Sequence, residues 1–220
     1  MRRFLRDQGL AVAMFGIFAL ALIGLVFSGW SSFNRDQALQ GDAEIGLMQY
    51  LGSAEFGEAV FENWESEFLQ MGAYILLTAV LFSRGSAESR NPDHPDAQDA
   101  DPRTAAKRRN VPWPVKRGGF ALVVYENSLT IALLAMFAAS FLLHAATGAA
   151  AYSHELERAG LPGLSLLGYL GTSRFWFESL QNWQSEFLSV GALIVLSIFL
   201  RQRGSPGSKP VAAPNAQTGG

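Results

Sequence analysis

The chain has 220 residues, 49% of them hydrophobic and 16% charged, with no cysteine and a formal charge of −2. Such a length would ordinarily make one or two water-soluble domains, but the apolar residues here gather into four long blocks with the charges between them. That pattern excludes a soluble globular protein, the missing cysteines exclude a disulfide scaffold and thiolate sites, and the near-neutral charge argues against nucleic acid as a partner.

Crossing roughly 30 Å of hydrocarbon takes about 20 helical residues. The blocks predict four spans, at about 10–28, 64–83, 129–147 and 183–200. Helix is the expected state, because backbone groups in lipid must be satisfied within the segment and no barrel-strand alternation is present. The first block follows Arg2 and Arg3 as a secretory signal would. Its apolar stretch is longer than a signal core, and the mid-chain third block matches it in register, so it is expected to stay as a transmembrane helix. Loop charges set the orientation. Arg2, Arg3 and Arg6, the linker run from Arg84 to Arg117, and Arg201, Arg203 and Lys209 hold most of the cations, against Arg35, Arg158 and Arg174 in the other two loops. By the positive-inside rule both termini and the linker are cytoplasmic.

The chain repeats itself at a spacing of 119 residues. Asn63-Trp64-Glu65-Ser66-Glu67-Phe68-Leu69 falls on Asn182-Trp183-Gln184-Ser185-Glu186-Phe187-Leu188, and Tyr50-Leu51-Gly52 on Tyr169-Leu170-Gly171. Arg84-Gly85-Ser86 falls likewise on Arg203-Gly204-Ser205. Each unit is then one helix, a long outer loop and a second helix. Two crossings per unit make the copies parallel, unlike the inverted repeats of many secondary transporters. The expected fold is therefore all-α and integral to a membrane, with four transmembrane helices built as two tandem parallel helix-hairpin repeats with outer interfacial helices. The organisation is repeat 1 over 1–89, a disordered cytoplasmic linker over 90–119, repeat 2 over 120–205 and a disordered tail over 206–220.

At these motifs, NWESEFLQMGAY and RGSAES in one copy and FWFESLQNWQSEFL and RQRGSP in the other, the chain resembles an uncharacterised family of bacterial multi-pass integral membrane proteins, a domain of unknown function. The resemblance covers nearly the whole chain. It implies a bacterial inner (plasma) membrane and brings no activity or catalytic residue with it.

Within the loops, Gly52-Ser53 and Gly171-Thr172 read as a helix stop followed by an N-cap. The residues after each cap are expected to lie in the interface and to bend into the second span near Asn63 or Asn182. Trp64 and Trp183 would anchor that interface, with Arg84 and Arg203 at the opposite ends. One face of the second span carries Asn63, Glu67, Gln70, Tyr74 and Thr78 at helical spacing; its counterpart carries Asn182, Glu186, Ser189 and Ser197, interrupted by Leu193. Asn63 is placed to bond Glu67, and Asn182 to bond Glu186. A polar stripe must face protein or water. It is either a packing seam or a small pathway between the copies, and Leu193 and the uncharged midplane favour the seam.

His144 aligns with Leu25 and reads as a buried hydrogen-bonding residue; no histidine pair has metal or haem spacing. No metal, cofactor or catalytic residue is expected. The leading expectation is a non-enzymatic structural or interaction protein with an acidic, aromatic outer collar, in contact with the bilayer and with a membrane-protein partner or a second copy of itself. The alternatives are a small channel or carrier for protons, cations or a small solute along the stripe, and an outer-face enzyme using the loop acids.

Overall fold

The computed structural model describes residues 2–219, and every regular element among them is a helix. In chain order these are α1 (Arg2–Gln40), α2 (Leu47–Leu51), α3 (Ala54–Val80), α4 (Trp113–Arg117), α5 (Gly119–Glu126), α6 (Ser128–Arg158), α7 (Leu166–Leu170) and α8 (Ser173–Phe199). Two 3-10 turns, Ala97–Asp99 and Pro102–Ala105, lie in the linker. Three helices, α1, α6 and α8, are long and apolar enough to cross a membrane. α3 matches α8 at 27 residues, about 40 Å at 1.5 Å per residue. Its five glutamates, Glu55, Glu58, Glu62, Glu65 and Glu67, make it the more polar of the two.

Burial runs inside out relative to a water-soluble protein. Leu10, Phe15 and Leu20 of α1 are 77%, 74% and 72% exposed, whereas Glu65 and His144 are fully buried. An apolar exterior on this scale marks contact with lipid or with partner protein.

Each long helix turns back on itself by the same local devices. α1 and α6 end in glycines held at φ +80° (Gly41) and φ +75° (Gly160), where a side chain would be strained. The following amides close Schellman-type bonds, Asp42 N–H to Gln37 O at 2.9 Å and Leu161 N–H to Leu156 O at 2.9 Å. Ser53 and Thr172 then cap α3 and α8, each hydroxyl accepting from a backbone amide three residues on, at 3.2 Å. Gln8 and Asn127, 119 residues apart, carry the same helix-breaking backbone, φ −125° and φ −107°. Aromatic contacts recur at that spacing too. Phe18–Trp64 and Phe137–Trp183 both lie at 6.3 Å between ring centroids, and Tyr50–Phe56 at 5.4 Å matches Tyr169–Phe175 at 5.5 Å.

The core forms where α3 lies along α6, with α8 against both. At Gly72 a Cβ would stand 3.0 Å from Leu134 Cδ2, so the missing side chain lets α3 and α6 approach. One expectation is corrected here. No bend separates an interfacial helix from the second span: α3 and α8 run unbroken through Asn63 and Asn182. Neither stretch holds a proline to interrupt the hydrogen-bond ladder, and the separate short helices are α2 and α7.

At the linker end, chain segments fold over the helix termini. Ser86 Oγ pairs with Ser197 Oγ at 2.8 Å. The Lys209 ammonium, almost wholly buried, donates to Gly85 O, Ile198 O, Asn215 O and Gln217 O at 2.5–3.1 Å. Arg84 and Arg90 pair with Asp93 and Asp99. Some of these segments supply donors to carbonyls left over at the helix ends, Arg90 to Thr78 O and Ala79 O and Lys209 to Ile198 O.

Candidate functional site

At the hairpin-turn end of the bundle, α3, α6, α7 and α8 enclose a cluster of ionisable side chains. Glu58, Glu62 and Glu65 follow at i, i+4 and i+7 on one face of α3, and α6 supplies His144 opposite them. His144 Nδ1 bonds Glu65 Oε2 at 2.9 Å, and Trp183 Nε1–H donates to Glu65 Oε1 at 3.1 Å, so both carboxylate oxygens are occupied. The imidazole stacks on Phe175, with centroids 5.0 Å apart and planes at 29°. Its second nitrogen, Nε2, is buried, finds no hydrogen-bond partner among the described residues, and lies 3.6 Å from Glu178 Oε2.

Glu178 is held from two sides. Arg174 Nε–H donates to its Oε1 at 2.7 Å, and the Tyr169 hydroxyl donates to Oε2. The same hydroxyl lies 3.3 Å from Glu58 Oε1, so one phenolic hydrogen stands between two carboxylates. Arg174 is also gripped by both oxygens of Glu155. Burial and then the Glu178 charge push the Glu58 carboxyl up to about 7, against the lowering pull of Arg174 and of the Tyr169 hydrogen bond. Burial, followed by the bond to Glu178, raises the Tyr169 phenol far above its ordinary range and keeps it a donor. Three carboxylates thus face one guanidinium that is already shared. From this cluster a groove of about 820 Å³ opens outward, lined by Glu55, Glu58, Glu62, Arg174 and Glu178 among others.

The polar stripe divides in two. Asn63 and Glu67 are exposed on α3, and the Asn63 amide donates to Ala59 O at 2.8 Å instead of to Glu67. Asn182 donates across the bundle to Glu62 Oε1 at 2.5 Å and along its own helix to Glu178 O, so the Asn182–Glu186 pairing is replaced as well. Glu186 is half-buried, while Ser189 is exposed and bonded to Glu186 O. Gln70, Tyr74 and Thr78, by contrast, line a cavity of about 290 Å³ between α3 and α8, with Phe187, Gly191 and Glu88. Within it Tyr74 Oη donates to Glu88 Oε2 at 2.5 Å. Ser197 is spent on Ser86 and on the Ala87 amide. Trp64 is partly exposed against Phe18 and Phe61, whereas Trp183 is turned inward as a donor to Glu65. Arg84 and Arg203 are exposed at the linker end.

Sequence reasoning passes over the buried cluster. Glu58, Glu65 and Glu178 read as loop acids, and His144 as an isolated side chain. What they have in common is that none is duplicated. His144 stands opposite Leu25, Glu65 opposite Gln184, Glu58 opposite Phe177 and Glu178 opposite Ala59. Of the four, only Glu65 departs within a stretch where the two halves otherwise agree; around the other three few identities remain.

Fold and site together define an all-α protein with membrane-span-like helices and a buried carboxylate–imidazole cluster at one end of the bundle. The chain belongs to the family described as Domain of unknown function (DUF6766), whose family model matches residues 1–220. No curated protein and no solved structure matches it.

Proposed function

We propose that the chain is a multi-pass protein of a bacterial plasma membrane, with spans at about 10–28, 64–83, 129–147 and 183–200, built as two tandem hairpin units over 1–89 and 120–205. Both termini and the 90–119 linker are cytoplasmic. Its role is structural and interactive, and not enzymatic: the outer collar locks the two units into one body and presents an acidic groove to the outside. The observation that carries this reading is that three polar bonds of the collar run between units. Glu65 of the first binds His144 and Trp183 of the second, and Glu62 binds Asn182. The recurring backbone kink, turn glycines and aromatic pairs at a spacing of 119 support the duplicated unit. α3 serves as the fourth span because Glu65 turns toward protein, Glu67 lies within one turn of the outer edge, and the stretch from Phe68 to Val80 is largely apolar.

A cysteine-free chain makes each introduced thiol unique. Single cysteines at Asp42 and Asp99, both exposed, are labelled in intact cells with a membrane-impermeant reagent. Asp42 should react and Asp99 should not; the opposite pattern would overturn the topology. Glu65→Gln should lower thermal stability without altering ion flux in liposomes.

The cavity beside Gln70, Tyr74 and Thr78 favours a second reading, a small channel or carrier for protons or cations. Cysteines at those three positions decide between the two. Labelling of Tyr74 and Thr78 from outside, with flux lost in Glu65→Gln or Glu67→Gln, makes it a pathway. Labelling that stops at Gln70 leaves the collar reading standing.

A further inference from the structure

We propose that Glu58, His144 and Glu178 hold one divalent transition-metal ion, with Glu65 as the positioning residue behind the imidazole. One carboxylate oxygen from each glutamate and one imidazole nitrogen all lie within 4.8 Å of one another. Ligands each about 2.1 Å from a common ion stand at most about 4.2 Å apart, so closure needs only small rotations of side chains. The inference does not depend on the collar reading and goes beyond it.

Four observations converge on this site. His144 Nε2 is fully enclosed without a hydrogen-bond partner among the described residues, and it points at a carboxylate oxygen 3.6 Å away. In the tautomer with Nδ1–H donated to Glu65, that nitrogen turns a lone pair toward the carboxylate oxygen, and a cation fits between the two. Glu65 stands where the outer carboxylate of a carboxylate–histidine–metal arrangement stands, fixing the ring and raising its basicity. Arg174 secures Glu178 through Oε1 and leaves Oε2 toward the imidazole, while Tyr169 bridges Glu178 and Glu58 with a single hydrogen that the ion would displace. The acid-lined groove is the entry path, and it concentrates cations at its mouth.

The donor set selects the ion. One imidazole with two carboxylates suits Zn2+, Mn2+, Fe2+ or Co2+, whereas Mg2+ and Ca2+ prefer oxygen alone and Cu+ prefers sulfur. Two glutamates neutralise a dication.

The test uses the full chain in detergent, stripped with a chelator and titrated with Zn2+, with Co2+ as the spectroscopic probe. Expected are one Zn2+ per chain, Co2+ d–d absorption from nitrogen and oxygen ligands, and no displacement by equimolar Mg2+. Glu58→Gln should weaken binding at least about tenfold, and Glu65→Gln, which touches no metal, by about 10–100-fold. Glu62→Gln, in the same groove but outside the ligand set, should leave affinity unchanged and so separates a built site from general acidity. Equal loss in Glu62→Gln and Glu58→Gln, or no stoichiometric binding by the wild type, overturns the proposal. Should Glu58→Gln fail to fold, the imidazole 15N signals of the wild type decide. A zinc-induced shift at His144 Nε2 upholds the site. An unshifted signal means that a proton alone occupies the gap, and refutes it.

Discussion

Gly29 and Gly148 lie 119 residues apart and meet Tyr50 and Tyr169 in different ways, which makes a sharp comparison. An alanine at Gly148 would place its Cβ 2.5, 2.7 and 2.8 Å from Oη, Cε1 and Cζ of Tyr169, a side chain with no exposed surface. The ring cannot retreat, because Phe175 stands against it with centroids 5.5 Å apart and its hydroxyl is committed to Glu178. Overpacking of this kind costs about 1–3 kcal/mol, and pulling the phenol off a carboxylate adds about 1.5–3. The helix-propensity gain of Gly→Ala returns about 1. A net loss of about 3 kcal/mol follows, or roughly 6–12 °C in Tm for a chain of this size.

At Gly29 only the Tyr50 hydroxyl is too close, 2.2 Å from the added Cβ, while Cζ and Cε1 lie at 3.2 and 3.5 Å. That hydroxyl makes no hydrogen bond to another described residue, so Tyr50→Phe removes the clash at little cost. Thermal unfolding in detergent, followed by tryptophan fluorescence, should show Gly29→Ala destabilised alone and restored to the wild-type Tm or above by Tyr50→Phe. Gly148→Ala should stay destabilised in the Tyr169→Phe background, where ring carbons still crowd the methyl. Full rescue of both pairs, or of neither, refutes the geometry.

Glu65→Ala should cost about 3–5 kcal/mol by stranding the His144 and Trp183 donors in a buried site, and Glu65→Gln, which keeps one acceptor oxygen, should cost clearly less; equal Tm values for the two would argue against the network. Ser86→Ala and Ser197→Ala should each cost about 1 kcal/mol. Because the two hydroxyls share one bond, the double variant should be little worse than either single, and additive losses would mean that the bond contributes nothing. Lys209→Met should release the tail from Gly85 and Ile198, seen as faster hydrogen exchange at the Gly219 and Gly85 amides and as proteolysis within 206–219. Unchanged exchange would place the tail's stability elsewhere.

Much of the helical framework can be read from composition alone, since runs of about 20 apolar residues admit few alternatives. The turns are legible as well: Gly41 and Gly160 supply the left-handed corner, and Gly52-Ser53 and Gly171-Thr172 supply a stop and a cap. What the pattern hides is which face of α3 turns inward. Asn63 and Glu67 share a helical face with Gln70 and Tyr74, yet at the turn end the face of Glu58, Glu62 and Glu65 is the buried one. Packing on α6 decides this, through close approaches such as Gly72 on Leu134. The ionisable cluster is hidden for a second reason. A search for what the two halves share discards His144, Glu65, Glu58 and Glu178, because none has a like residue in the other half.

The Glu65–His144 bond also bears on how the chain is made. The two residues are 79 positions apart, and Trp183, the other donor to Glu65, is 118 positions beyond it. At about 5–20 residues per second, Glu65 leaves the ribosome roughly 4–16 s before its imidazole and waits longer still for the indole. During that interval the first half carries an unmatched carboxylate, its own ties being aromatic contacts such as Phe18–Trp64 and the bonds of Trp30 and Asn34 to Ile45. On the proposed membrane topology, insertion is provisional until α6 and α8 arrive, and a chain truncated before residue 144 should be degraded faster than the full chain.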